Sequence, residues 1–172
     1  MNSGSKDFSH WQANARGVDL NHNYDAGFAE YKQIERQSGI TEGAPTRYSG
    51  ESPESEPEVA AICSLIRTLP FSFLMTLHSQ GEEIYYKYSG NPEEQTKNFT
   101  AVKALASMTG YALSTPQGAA SYGGLSDWAG GKMGVPSVTL ECGKGENPLP
   151  IEECMKIYGG VRRALFCAPM MF

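Results

Sequence analysis

Cysteine is scarce in this sequence, and its pattern bears on where the chain works. Only four cysteines occur among 172 residues, and they form no CxxC pair. The first residues are polar rather than a charged start followed by an apolar core, so they do not look like a secretory leader. A framework of disulfides is therefore not indicated, and we expect reduced thiols in a cytoplasmic compartment.

Basic residues and long apolar runs are also in short supply. Lys and Arg number 14 against 19 Asp and Glu, which gives a formal net charge of -5 at pH 7. Broad attraction to nucleic acid or to an anionic membrane is not expected from such a chain. The longest uncharged runs fall well short of the roughly 20 apolar residues that span a bilayer. We therefore expect neither nucleic acid nor a membrane as a partner.

The apolar content is sufficient for a folded domain. Hydrophobic residues make up 40 % of the 172 positions, enough to bury a core and to exclude a disordered tail or a disulfide-stapled miniprotein. No linker or internal repeat interrupts the pattern. We expect a polar amino-terminal segment at residues 1–10 and one domain over residues 11–172.

The order of the predicted elements indicates an α/β layer structure. Ser55 and Glu58 have the spacing of a capping box before a helix at about 55–69. Residues 71–77 form an apolar run typical of a strand that is covered on both faces. Other patterns predict a helix at 92–109, a short strand at 111–114, a short helix at 125–133, a buried strand at 135–140 and a closing helix from 150. Strands that alternate with capped helices are typical of α/β folds.

A histidine and a glutamate stand where two of these strands should end. His78 follows the apolar run, and Glu141 follows the strand at 135–140. In open α/β sheets, ligands collect beyond the carboxyl ends of the strands. An imidazole and a carboxylate in one cleft are what zinc-assisted hydrolysis needs as a metal ligand and a general base. By spacing alone, two unrelated polar strand ends remain the alternative.

Four short motifs point to a family. They are NARGVDLNHNYDAGF at 14–28, LHSQG at 77–81, SDW at 126–128 and VTLE at 138–141. In order and spacing they resemble the carboxypeptidase A-like zinc metallopeptidases, and they are most similar to the bacterial γ-D-glutamyl-diaminopimelate peptidases. The resemblance implies a three-layer fold of helices, mixed sheet and helices, and a substrate from the cell wall.

The resemblance also implies roles for individual residues. His78 would be a zinc ligand, and Glu141 would be the general base that takes a proton from the attacking water. Asn21 and His22 would bind a substrate carboxylate, with His22 standing where the family usually has arginine. Arg16 could supply the missing positive charge, or it could brace a loop. Tyr122 lies nearest to the position of the family's lid tyrosine.

One family motif has no counterpart in this sequence. The family's other two zinc ligands belong to an HxxE motif upstream of the VDLN segment, and none of the three histidines here begins such a motif. The chain therefore resembles the carboxyl-terminal half of the family's catalytic domain, with the other two ligands expected upstream of it. We expect the isolated 172-residue chain to be inactive.

Two functions follow from these patterns. The first is a zinc-dependent peptidase that hydrolyses an amide bond in a cell-wall stem peptide such as γ-D-glutamyl-diaminopimelate. The alternative is a non-catalytic module that binds a peptide or a carboxylate without metal. In either case the strand at 71–77 would lack one neighbour, and an uncharged apolar edge favours a homo-oligomer.

Overall fold

A computed structural model describes residues 10–87 and 92–172. They form two compact units, one made of the chain up to Pro70 with Gln117–Trp128, the other of Phe71–Pro116 with Ala129–Phe172. The predicted polar segment at 1–10 lies almost entirely outside the described residues. Among the helices that are described, none is long and apolar enough to cross a membrane.

The described part of the first unit includes the helices α1 (Phe28–Gln37) and α2 (Pro57–Thr68) and the short 3₁₀ helices Leu20–His22 and Gly118–Ser121. Helix α2 was predicted from Ser55, but the predicted capping box is wrong: the N-cap is Glu56, and no side chain caps the helix. The Ser55 hydroxyl instead donates to the Glu56 carboxylate at 2.8 Å. The sequence pattern located the helix correctly because its apolar face, with Val59 and Cys63 buried, does not depend on the cap.

Asn23 is the polar centre of the first unit. Its side chain is fully buried, and its Nδ2 donates to the carbonyl oxygens of Ser49 at 2.7 Å and Ser52 at 3.0 Å. Its Oδ1 accepts from the backbone N–H of Glu56 at 3.1 Å, which satisfies a donor at the start of α2. One amide thus joins the loop at 49–55 to the segment that carries the 3₁₀ helix Leu20–His22.

The second unit is built on a four-stranded sheet. Its strands are β1 (Leu74–His78), β2 (Glu83–Lys87), β3 (Ala112–Ser114) and β4 (Ser137–Glu141), in the order β1-β4-β2-β3. Strand β4 is parallel to β1 and antiparallel to β2, and β2 is parallel to β3. The sheet is therefore mixed, as the resemblance implies.

Alternation along the strands gives this sheet an apolar face and a polar face. Val138, Leu140 and Ile84 are buried in one cluster with residues of α3 (Pro92–Thr109) and α5 (Cys154–Cys167). Residues one position along each strand point to the opposite face. There the Thr76 and Thr139 hydroxyls lie 2.7 Å apart. Because one set of side chains packs against the two helices, the alternate set along each strand forms the polar face.

Most of the predicted elements are present in the structure, but several bounds differ. The strand predicted at 71–77 is β1, Leu74–His78, and the strand predicted at 135–140 is β4, Ser137–Glu141. Helix α3 has the predicted bounds, and β4 is buried from Ser137 to Leu140 as predicted.

The prediction that the strand at 71–77 is covered on both faces is wrong, because no residue of β1 is buried and Leu77 is 53 % exposed. The expected edge position is found, since β1 ends the order of strands in the described sheet. Helix α1 and strand β2 were not predicted. The short helix at 125–133 is α4, Leu125–Gly131.

Replacing Asn23 with alanine tests the polar centre of the first unit. The change would leave the Glu56 N–H and two loop carbonyls without their buried partner, and each such loss costs about 1–3 kcal/mol. We expect the free energy of unfolding, measured with urea, to fall by at least about 3 kcal/mol. Gln37→Ala, at the exposed end of α1, is the control and should change it by less than about 0.5 kcal/mol. Equal effects of the two changes would contradict this role for Asn23.

Candidate active site

Strand register brings His78 and Glu141 together. The two residues are direct partners in the parallel pair of β1 and β4, and the backbone N–H of Cys142 donates to the His78 carbonyl at 2.8 Å. Both residues end their strands, so the predicted placement at the carboxyl edge of the sheet is confirmed. Partners in neighbouring strands project to the same face, so the imidazole and the carboxylate share the polar face.

Glu83 extends this pair to a row of three. It is the direct partner of Glu141 in the antiparallel pair of β2 and β4, so its side chain belongs to the same face. Sequence reasoning missed Glu83 because β2 was not predicted as a strand. The alternation in Glu83–Lys87, with Ile84 fully buried, is the signal that could have found it.

The environment of Glu141 favours a proton acceptor near neutral pH. Burial raises the pKa of this carboxyl group from 4.5 to about 7, and the negative charge of Glu83 adds to the shift. A carboxylate with a pKa near 7 can accept a proton from water and release it again at neutral pH. The next residue, Cys142, is different: burial raises the pKa of its thiol to about 11, and the charge of Glu141 adds to the shift. Its thiol therefore stays protonated and is a poor nucleophile.

The loops that follow β1 and β4 are tied to each other. The Asn147 side chain bridges to Ser79, accepting from its hydroxyl at 3.0 Å and donating to its carbonyl at 2.8 Å. The Gly143 carbonyl accepts from the backbone N–H groups of Gly81 at 2.9 Å and Glu82 at 3.0 Å. These bonds flank His78 and Glu141 and limit independent movement of the two strand ends.

Asn21 and His22 lie in the first unit, on the 3₁₀ helix Leu20–His22. The buried Asp19 carboxylate caps this helix by accepting from the backbone N–H of Asn21 at 3.3 Å. The His22 ring stacks on the ring of Tyr31, with centroids 4.0 Å apart, and its Nδ1 lies 3.1 Å from the Tyr122 carbonyl. The structure thus brings His22 and Tyr122 into direct contact.

Arg16 and Tyr122 make contacts within their own unit. The Arg16 Nε donates to Glu56 at 2.9 Å, and its terminal nitrogen to the Ser55 carbonyl at 3.3 Å, which favours the alternative that Arg16 braces a loop. The Tyr122 ring lies against Gly27, where an added Cβ would approach its Cδ1 to 2.5 Å. The substrate role of Arg16 and the lid role of Tyr122 stay predictions.

The donor set for zinc is incomplete in the part of the chain that is described. His78 is exposed at the end of β1 and fits as one imidazole ligand. Within residues 10–87 and 92–172, no group of three or more His, Cys, Asp or Glu side chains is arranged to hold a metal ion. Glu141 and Glu83 therefore do not complete a zinc site with His78.

Two curated relatives are, by name, an endopeptidase and an amidase. The chain is 36 % identical over 159 residues to the γ-D-glutamyl-L-diamino acid endopeptidase 1 of Lysinibacillus sphaericus, covering 91 % of this chain and 38 % of the relative. It is 37 % identical over 71 residues to murein peptide amidase A of Escherichia coli K12, covering 39 % of this chain and 28 % of the relative. The chain thus spans less than half the length of these relatives.

Solved structures share the fold. The carboxypeptidase A of Helicoverpa armigera superposes with a TM-score of 0.66 at 19 % identity, over 90 % of this chain and 41 % of that one. The family model described as zinc carboxypeptidase matches residues 3–159. With a match over most of its length, and with the mixed sheet described above, the chain belongs to the zinc carboxypeptidase family.

Proposed function

We propose that this chain provides the general base and one zinc ligand of a peptidase that cleaves an amide bond in a cell-wall stem peptide, such as γ-D-glutamyl-diaminopimelate. The observation that carries the proposal is the pairing of Glu141 with His78 at the ends of two parallel strands. The substrate class is supported by the names of the relatives, which are a γ-D-glutamyl-L-diamino acid endopeptidase and a murein peptide amidase.

Glu141 would move the proton in this reaction. Its carboxylate accepts a proton from the water that attacks the scissile carbonyl, and then donates that proton to the leaving amine. A pKa of about 7 allows both transfers near neutral pH, because neither protonation state is strongly favoured. Zinc, when bound through His78 and further ligands, would polarise the attacking water and the carbonyl.

We propose substrate contacts for four further residues. The Asn21 amide would hydrogen-bond a polar end group, and His22 would contact the same group. Arg16 would assist by charge when it is released from Glu56, and Tyr122 would cover the bound substrate. We propose that the isolated chain is inactive, because a catalytic zinc site usually has three protein ligands and His78 is one.

Replacing Glu141 with glutamine should abolish turnover. The test uses the chain fused behind the amino-terminal part of the Lysinibacillus sphaericus relative and an L-Ala-γ-D-Glu-diaminopimelate peptide as substrate. An amide cannot accept the proton of water, so we expect kcat to fall by about 10²–10⁴-fold with unchanged zinc content. Glu83→Gln, on the neighbouring strand, is the matched control and should keep kcat within about 10-fold.

Two outcomes of that test would oppose the proposal. Near-normal turnover by the Glu141→Gln fusion would mean that another group is the base. A wild-type fusion that binds zinc and the peptide without cleaving it would instead favour the non-catalytic binding module.

The raised pKa of Glu141 predicts a dependence of stability on pH. Between pH 4.5 and about 7 the folded chain keeps Glu141 protonated while the unfolded chain ionises it. The folded state binds the extra proton, so this group's contribution to the free energy of unfolding falls as pH rises through this range. Carbon-13 NMR of the Glu141 carboxyl group should show a midpoint near 7, and the midpoint should be lower in Glu83→Gln. Titration near 4.5 in the wild type would contradict burial as the cause.

The position of β1 at the edge of the described sheet leads us to propose self-association. Residues 74–77 carry no charge, β1 is an edge of the described sheet, and Leu77 is 53 % exposed. Edges of this kind pair with another chain, so we expect a homodimer or larger assembly by light scattering. Leu77→Lys should shift it toward monomer, whereas Leu69→Lys, at a residue 49 % exposed outside the sheet, should not. A wild-type monomer across a wide concentration range would contradict the pairing.

A further inference from the structure

Gly143, two residues after Glu141, is bonded through both of its backbone groups. Its carbonyl accepts from the backbone N–H groups of Gly81 at 2.9 Å and Glu82 at 3.0 Å. Its N–H donates to a side chain, the hydroxyl oxygen of Tyr111, at 3.2 Å, and this bond is buried. Tyr111 thus holds the backbone that leaves β4 at a point beyond the end of the strand.

Tyr111 reaches Gly143 from the apolar face of the sheet. It directly precedes β3, and its ring is buried in the cluster that includes residues of α3 and α5. The next residue, Ala112, is the partner of Glu83 on the polar face, so the side chain of Tyr111 points the other way. Strand β2 separates β3 from β4, and the long side chain carries the hydroxyl past it. The end of β4 is therefore supported from the face opposite to Glu141.

The contact between Tyr111 and Gly143 depends on one oxygen atom. Gly143 has φ +76°, and an added Cβ would lie 2.7 Å from Ile157 and 2.8 Å from Leu149, so the packing around it is tight. Burial raises the pKa of the Tyr111 hydroxyl, which is therefore neutral near pH 7 and accepts the bond without carrying charge. Tyr111→Phe would keep the ring and remove only this acceptor, which leaves a buried N–H without its partner.

We propose that Tyr111 is a positioning residue for Glu141: its hydroxyl fixes the backbone that leaves β4, and thereby the direction in which the Glu141 carboxylate enters the site. This role rests on the proposed function, in which Glu141 is the general base. Tyr111 acts only through Glu141, because its side chain lies on the other face of the sheet. A displaced base transfers a proton less efficiently, whereas substrate contacts at other residues are kept. Loss of the hydroxyl should therefore lower kcat and leave KM unchanged.

The first test measures the Glu141 side chain in the 172-residue chain itself. Three-bond scalar couplings from NMR give the populations of its χ1 rotamers in the folded state. We expect one predominant rotamer in the wild type, and a population of the minor rotamers about 5-fold larger in Tyr111→Phe, as the loss of one hydrogen bond implies. A loss of global stability alone would not change these populations while the chain stays folded.

Ser49→Ala is the control for lost stability. The buried Ser49 hydroxyl donates to the Glu35 carboxylate at 2.6 Å in the first unit, so this change also removes one buried hydrogen bond. Urea unfolding of both variants shows whether they lose comparable stability. We expect Ser49→Ala to keep the wild-type rotamers of Glu141. Unchanged rotamers in Tyr111→Phe, or the same change in both variants, would overturn the proposal.

The second test measures turnover in the fusion that carries the Glu141→Gln test. We expect Tyr111→Phe to lower kcat about 10-fold with unchanged KM and zinc content, because only the placement of the base is altered. Ser49→Ala should keep kcat within about 2-fold. A rise in KM without a fall in kcat, or loss of zinc from Tyr111→Phe, would contradict a role that acts through Glu141.

The outcomes separate this role from the function on which it rests. A wild-type fusion without turnover would remove the assignment of Glu141 as the base, and the rotamer populations would still decide whether Tyr111 directs its side chain. Full turnover by Tyr111→Phe, with turnover lost in Glu141→Gln, would overturn the positioning role and leave the base assignment intact.

Discussion

The parallel register between β1 and β4 is the constraint on which the candidate active site depends. It makes His78 and Glu141 direct partners, and the bond from the Cys142 N–H to the His78 carbonyl closes the pair at its end. A shift of one residue in either strand would send one of the two side chains to the apolar face. Burial of Val138 and Leu140 against the helices opposes such a shift, so core packing holds the chemical groups in place.

The position of Glu141 at the end of a buried strand explains why the pKa of its carboxyl group is raised. Strand β4 is buried through Leu140, and its last residue is still half-buried, which desolvates the carboxylate. The antiparallel pairing with β2 then sets the Glu83 carboxylate beside it. Desolvation and like charge both disfavour ionisation, so they act in the same direction. The raised pKa of Glu141 is therefore a consequence of its burial at the end of β4 and of the strand pairing that places Glu83 beside it.

Much of the second unit could be predicted from sequence, and less of the first. Local signals were strong for α3 and β4, and the order of strands and helices placed His78 and Glu141 at strand ends. Strand β2 was not predicted, because Glu82 and Glu83 stand at its start and glutamate is uncommon in strands. The alternation of side chains typical of a strand continues after them. The cap of α2 was misassigned because the N–H of Glu56 is satisfied by Asn23, 33 positions away, and no local spacing contains that information.

The first unit illustrates how a backbone group can determine the orientation of a side chain. Nothing in the sequence around His22 reveals what its ring contacts, since the carbonyl that faces Nδ1 belongs to Tyr122, 100 residues later. That carbonyl is held by the Gly123 N–H bonded to Ala26, and Gly123 itself has φ +76°, a conformation that favours glycine. A substitution of arginine by histidine at position 22 would therefore change more than charge. It would replace a fork of donors by an imidazole ring whose Nδ1 faces the Tyr122 carbonyl.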